Sequence, residues 1–329
     1  MIQLLDKYNR IHNYLRISLT DRCNLNCVYC NPSSALHSEG KTNLLTFEQI
    51  SKIVDAFTDF GINKIRLTGG EPLARKDVKN LFRMLYQIKS RKHFELAITT
   101  NGILLENALE ELQANGLDRV NISLDSLNPY TFSHITGHDE LVTVIKSINK
   151  CKQMKIKVKI NTVVMKGVND SELLDFVKFS VDNDINVRFI EFMPFSNNGW
   201  DKNRFISTDE MIGIITQRYP IDKQPENGSP AQDYLVEGSN ATISFINSIS
   251  NHFCGSCNRL RITPDGKLKA CLFSKKDTSL DLKKLIDEEN DRSKLHSTLN
   301  EFLMAKEFEH PGIEELINMK HNNMIQIGG

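Results

Sequence analysis

From Tyr14 to about residue 220, short runs rich in β-branched and other apolar residues alternate with segments whose apolar positions recur every three or four residues. That alternation is the sequence form of repeated βα units around a parallel sheet. The apolar runs predict strands at residues 14–20, 62–68, 94–100, 119–124, 156–163 and 187–192. Helices fill the intervals. The first opens at Thr46, with Gln49 three residues on to complete a capping box and Gly61 just past its end as a stop. Later helices are predicted over roughly 77–89, 104–115, 140–154, 171–182 and 209–219.

Six such units are too few to close an eight-stranded barrel. The expected fold class is α/β, either an open doubly wound sheet or an incomplete (βα)6 TIM-like barrel, with a small C-terminal α+β cap. Ligands then belong beyond the C-terminal ends of the strands. The polar, glycine-rich segments obey that rule: CNLNCVYC follows the first strand, GGEP the second and TNG the third, and Ser123 and Asp125 close the fourth. Near residue 221 the pattern changes to DKQPENGSPAQ, a surface loop, then to short strands and a hairpin whose TPDG turn separates RLRI from KLKACLF. Helical patterns follow at about 280–288 and 293–308. Two regions are expected, 1–220 and 221–329.

Composition narrows the function classes. Lys plus Arg number 41 and Asp plus Glu number 41, so no global field draws the chain to nucleic acid or to a membrane surface. An anionic ligand must meet a local cluster of charge. No stretch is long and apolar enough for a transmembrane helix, and the N-terminus is broken by charge throughout. A cytoplasmic protein is expected.

Six of the seven cysteines fall into two groups of three, which disulfides explain poorly and metal ligation explains well. Cys151 stands alone in a helical pattern, as a packed small hydrophobe would. Cys23, Cys27 and Cys30 form CxxxCxxC on the loop after the first strand. Three thiolates leave a metal site open, whereas structural zinc takes four protein ligands. An iron–sulfur cluster held by three cysteines has one iron free for a small molecule. Cys254, Cys257 and Cys271 form the second group, and here His252 could complete a Cys₃His zinc site by spacing alone. Arg259 and Arg261 alternate on an extended segment beside it and so share a face. Paired guanidinium forks suit a polyphosphate.

CxxxCxxC with Tyr29 before its last cysteine resembles the radical S-adenosylmethionine (SAM) superfamily. The resemblance implies a [4Fe–4S] cluster whose open iron chelates SAM and cleaves it to a 5′-deoxyadenosyl radical. Gly69, Gly70 and Glu71 match the superfamily segment that contacts the SAM amino group, and Ser123 and Met193 match positions that line the SAM pocket. Both cysteine groups, FCGSCNRLR and the terminal Gly328–Gly329 pair together resemble the GTP 3′,8-cyclase family of molybdenum cofactor biosynthesis. That implies a second [4Fe–4S] cluster on Cys254, Cys257 and Cys271, whose open iron takes the guanine of GTP. It implies phosphate contacts from Arg16, Arg259 and Arg261, other GTP contacts from Arg66, Thr99 and Lys159, and a glycine tail reaching into the site. The implied reaction moves a hydrogen from ribose C3′ and joins that carbon to guanine C8, with positioning and exclusion of water dominant. No acid–base pair is evident. Implied partners are a reductant protein and cyclic pyranopterin monophosphate synthase, which takes the product; a homodimer is compatible. The usual methionine after the third cysteine is Asn31 here, and the loop to Leu44 and the stretch before the tail are short. The rival readings are a radical SAM peptide-modifying enzyme with an auxiliary cluster and a zinc-stabilised, non-catalytic βα binding protein.

Overall fold

The computed structural model describes residues 2–30, 43–196, 198–226, 228–251, 253–273, 278–288, 291–319 and 324–328. Asn31, His252 and Gly329 lie outside the described residues, as does most of the loop to Leu44. Six strands, β1 (Tyr14–Ser18), β2 (Lys64–Thr68), β3 (Glu95–Thr100), β4 (Arg119–Ser123), β5 (Lys157–Val164) and β6 (Asn186–Glu191), stand side by side in sequence order. All pair in parallel. Each matches an apolar run to within about three residues. The connecting helices are α1 (Phe47–Asp59), α2 (Val78–Lys89), α3 (Leu105–Ala114), α4 (Pro129–Thr136), α5 (Leu141–Gln153), α6 (Leu173–Asn183) and α7 (Thr208–Thr216). Thr46 and Gln49 form the expected capping box on α1. Helix α4 has no counterpart in the apolar periodicity; its signals are the Asn128 side chain accepting from the N–H groups of Tyr130 and Thr131, and Gly137 in the left-handed region at its end.

The chain after residue 220 continues the same sheet at both edges. Strands β7 (Ile221–Lys223), β8 (Gln232–Val236) and β9 (Thr242–Ile246) add beyond β6, with β9 parallel to it. On the other side β10 (Arg259–Ile262) runs parallel to β1, and β11 (Lys267–Lys269) and β12 (Leu280–Asp281) follow antiparallel. The TPDG turn joins β10 to β11 as expected. Among the described residues the twelve strands form one sheet with order β12-β11-β10-β1-β2-β3-β4-β5-β6-β9-β8-β7, an open, TIM-barrel-like α/β fold. The remaining helices are α8 (Leu282–Glu288), α9 (Arg292–Met304), α10 (Ile313–Asn318) and α11 (Met324–Ile327). Among the described residues no helix is long and apolar enough to cross a membrane.

One face of each parallel strand carries the core. Leu15, Ile17, Ile65, Leu67, Leu96, Ile98, Val120, Ile122, Val187 and Phe189 are fully buried beneath the helices. Cys151 belongs to this core, fully buried. The opposite face is polar at every second position: Arg16 and Ser18 on β1, Arg66 and Thr68 on β2, Asn121 and Ser123 on β4, Lys159 and Asn161 on β5. Strands of a parallel sheet are ordinarily apolar on both faces, and a TIM barrel fills its interior with side chains. A polar inner face therefore marks a sheet that encloses a wet, charged space.

Candidate active site

The first cysteine loop leaves the C-terminal end of β1 and is pinned by backbone bonds to α4: Asn26 N–H donates to Thr136 O at 2.9 Å and Val28 N–H to Ile135 O at 2.9 Å. Val28 and Tyr29 pack with Ile135, Met165, Phe192 and Trp200. The Tyr29 hydroxyl donates to Asp125 Oδ2 at 2.7 Å, and Asp125 Oδ1 accepts from Val163 N–H at 2.8 Å. Two donors are aimed at Cys23 Sγ, Leu25 N–H at 3.4 Å and Asn101 Nδ2 at 3.8 Å. Burial pushes the Cys23 thiol up to about 11 and the Cys30 thiol up to about 12, so each keeps its proton until a metal displaces it.

The glycines of GGEP serve this loop directly. A Cβ on Gly70 would stand 2.2 Å from Arg22 O and one on Gly69 2.7 Å from Thr20 O. Only glycine permits that approach, which brings Glu71 N–H to Arg22 O at 2.8 Å. The Glu71 carboxylate, pushed up to about 7 by burial against the pull of its donors, accepts from Leu73 N–H, Asn101 N–H and the Thr100 hydroxyl at 2.8–2.9 Å. Glu71 thus ties the GGEP and TNG segments together behind Cys23.

A cavity of about 480 Å³ opens on the polar face of the sheet. Arg16, Lys64, Arg66, Arg119, Lys159, Arg188, Arg259 and Arg261 line it, and among the described lining residues Asp233 is the one carboxylate; Glu95, outside the cavity, pairs with Lys64 and Arg119. The register explains the density of charge. Arg16 stands opposite Arg261 on one neighbour strand and Arg66 on the other, and Tyr14 lies between Arg259 and Lys64. Adjacent strands are only about 4.8 Å apart, so these cations repel one another. Burial first and then the neighbouring arginines pull Arg16 well below its ordinary value, Arg261 to about 10 and Arg188 to about 9. Lys159 falls to about 8 for the same reasons. Tyr14 accepts from Arg66 Nε at 2.5 Å; burial resists its ionisation, but Arg66, Arg16, Arg259 and Lys64 prevail and bring the phenol down to about 7.

Such a surface asks for a polyanion. Among the described residues, Arg119 Nε, Arg188 Nε, Asn121 Oδ1 and Asn161 Oδ1 are buried with no hydrogen-bond partner, each a cost of about 1–3 kcal/mol unless a ligand or water meets it.

Cys254, Cys257 and Cys271 line this same cavity. Cys257 precedes β10 and Cys271 follows β11, so the hairpin brings them together, and a turn joins Cys257 N–H to Cys254 O at 3.1 Å. They lie toward the N-terminal ends of β1 and β10, whereas Cys23 follows the C-terminal end of β1. The first cysteine loop thus lies beyond the C-terminal end of its strand, whereas the second trio lies at the opposite end of the sheet. Burial raises the Cys254 and Cys271 thiols; at Cys257 the charges of Lys306, Arg259 and Arg261 overcome burial and hold the thiol below its ordinary value. Among the described residues no three His, Cys, Asp or Glu side chains close on a single-ion site. A [4Fe–4S] cluster spreads its thiolates over separate irons.

Between the two trios lies Gly328, buried and in the left-handed region at φ +84°. Its carbonyl accepts from Arg261 Nη1 at 3.0 Å, and a Cβ there would sit 2.7 Å from Ser18 Cβ. Gly328 thus lies against the polar face of the sheet. Of the residues assigned to GTP, all but Thr99 line the cavity; Thr99 instead accepts from Arg66 Nη1 at 3.4 Å. Met193, assigned to SAM, also lines it, and Ser123 pairs with Asn161 on β5 without doing so. Lys64, Arg119, Arg188, Asn121 and Asn161 are among the cavity residues that motif spacing alone missed.

Residues 17–180 match the Radical SAM superfamily and residues 185–311 match Molybdenum Cofactor Synthesis C. The GTP 3′,8-cyclase of Alkaliphilus oremlandii is 41% identical over 98% of this chain and 99% of its own length, and the mitochondrial GTP 3′,8-cyclase of Arabidopsis thaliana is 41% identical over 99% and 83%. The chain belongs to the GTP 3′,8-cyclase family of radical SAM proteins. Molybdenum cofactor biosynthesis protein 1 of Dictyostelium discoideum is 43% identical over 99% of this chain, which spans about half (52%) of that longer relative. Among solved structures, Streptococcus suis SuiB bound to S-adenosylmethionine superposes with a TM-score of 0.66 over 91% of this chain and 69% of its own, at 16% identity. Native anSMEcpe with bound AdoMet and a peptide gives 0.57 over 87% and 83%, also at 16% identity. Those two likenesses establish the shared fold. Membership of the superfamily implies a [4Fe–4S] cluster and SAM.

Proposed function

We propose that this chain converts GTP to (8S)-3′,8-cyclo-7,8-dihydroguanosine 5′-triphosphate, the first step of molybdopterin biosynthesis. The observation that carries the reading is the crowded cationic cavity lying against the second cysteine trio, in a chain whose relatives of equal length are named GTP 3′,8-cyclases. Cys23, Cys27 and Cys30 hold one [4Fe–4S] cluster, and Cys254, Cys257 and Cys271 hold a second, each with three cysteine ligands. When bound, the first cluster and SAM supply a one-electron cleavage that yields the radical abstracting hydrogen from ribose C3′.

The chain's own residues do the positioning. Arg16, Arg259 and Arg261 take the triphosphate, while Arg66, held by Tyr14 and Thr99, and Lys159 take the rest of the nucleotide. Arg119 and Arg188 add unpartnered Nε donors from the far strands. Tyr29, Gly70, Ser123 and Met193 surround SAM, and Gly328 walls off the space between the two centres. Held this way, C3′ and C8 meet without water or a competing hydrogen donor between them. A reductant protein delivers two electrons per turnover, one for the cleavage of SAM and one that, with a proton, completes the cyclised purine; the product passes to cyclic pyranopterin monophosphate synthase, and the enzyme acts in the cytoplasm. Region 1–220 holds the SAM centre and supplies Arg16, Arg66 and Lys159 to the nucleotide, and region 221–329 adds the second cysteine trio, Arg259 and Arg261.

Anaerobic reconstitution tests this directly. We expect about eight irons per chain and, on incubation with GTP, SAM and a reductant, a cyclised nucleotide of unchanged mass together with 5′-deoxyadenosine. Zinc in place of iron, or 5′-deoxyadenosine formed without any nucleotide product, would overturn the reading.

A further inference from the structure

Lys306, just beyond α9, is 6% exposed, and among the described residues no carboxylate pairs with it. Its Nζ donates instead to Cys257 Sγ at 3.7 Å. An ammonium withdrawn from water is costly unless an anion stands against it, and here the group that faces it is a sulfur of the second trio. The placement is built. Arg10 reaches across from the N-terminal segment and donates to Cys254 O at 2.7 Å, Phe308 O at 2.6 Å and Glu307 O at 2.8 Å, clamping the segment that bears Lys306 onto the cysteine loop. Asp6 fixes Arg10 in turn, accepting from its Nε at 2.6 Å.

We propose that Lys306 sets the reduction potential of the second iron–sulfur centre, its ammonium lying against the Cys257 sulfur and stabilising the more negative, reduced state. This rests on the two-cluster reading above. Hydrogen bonds and charge at cluster sulfurs are the levers by which a protein moves such potentials. Arg259 and Arg261 also lie near this trio, but their guanidiniums line the cavity and are answered by substrate phosphate, whereas among the described residues the Lys306 ammonium is answered at the sulfur. The potential of the purine-binding centre is thereby raised before any nucleotide arrives.

The test is a redox titration followed by electron paramagnetic resonance on the anaerobically reconstituted full chain, with added GTP identifying the second centre's signal and added SAM the first. In Lys306→Met the GTP-responsive signal is expected to move to lower potential while the SAM-responsive signal stays in place, with iron content unchanged. Lys306→Arg is expected to restore the original potential, which a packing role would not require. Should the Met variant lose iron, Lys306→Gln, which keeps an N–H donor without the charge, carries the titration and is expected to shift in the same direction. Full iron with an unmoved potential, an equal shift of both signals, or no rescue by arginine overturns the role of Lys306 alone. About four irons in the unsubstituted chain overturns the two-cluster reading and this inference with it.

Discussion

Arg261 carries two duties: it flanks the row of cations opposite Arg16, and it donates to Gly328 O. Arg261→Ala is expected to weaken GTP binding at least tenfold, since a charge-assisted hydrogen bond contributes about 1.5–3 kcal/mol. SAM cleavage is expected to survive; unchanged GTP affinity by calorimetry would refute the phosphate assignment. Lys159 gives a pH test. Its cationic form binds the anion, and burial with neighbouring cations brings it to about 8, so GTP affinity is expected to fall as pH rises through that value. Lys159→Arg keeps its charge across this range and is expected to make the fall shallower, leaving the part due to Tyr14, whose ionisation burial resists but whose phenol the neighbouring cations bring to about 7. At this scale the cysteines and Arg259 and Arg261 are legible in the sequence because each sits in a local motif. Arg119 and Arg188 are not, because each is a lone arginine on its own strand. Their signal is collective: a polar side chain at every second position on several parallel strands, where apolar residues are the rule.

Among the elements, α4 shows how a helix far from the reacting atoms shapes the site. Its last residues supply the carbonyls that receive Asn26 and Val28 of the first cysteine loop, and its start depends on the Asn128 cap. Asn128→Ala is expected to cost about 1 kcal/mol, read as a lower unfolding midpoint, and to speed loss of iron from the first centre relative to the second. The βα alternation is legible because apolar runs and capping residues are local. Helix α4 escapes that reading since only Phe132, Ile135 and Thr136 are buried along its eight residues, too few to set a clear period. Gly70 marks the contact between elements. Gly70→Ala would drive its Cβ into Arg22 O, and we expect the variant to retain GTP binding while losing SAM cleavage, checked by separate assays of each.

At the scale of the molecule, equal numbers of acidic and basic residues coexist with a cavity lined, among the described residues, by eight cations and one carboxylate. The field is local, and enclosure protects it from salt. GTP affinity is therefore expected to decline only modestly between low and physiological ionic strength, in contrast to a surface-bound nucleotide; a steep decline in a salt series would place the cations at the surface. The existence of a ligand space was legible from the rim motifs, but its depth was not. Depth follows from the strand pairing of β10 with β1 and β9 with β6, which joins residues more than 200 positions apart on one side and about 55 on the other.

That pairing bears on how the protein is made. Both β1 and β6 await partners encoded late in the chain, so during translation the first six strands emerge with two bare edges that remain available to other chains until β9 and β10 have left the ribosome. Protection by chaperones is most needed in that interval, and the second cysteine trio, which flanks β10 and β11, takes its place only once it has passed.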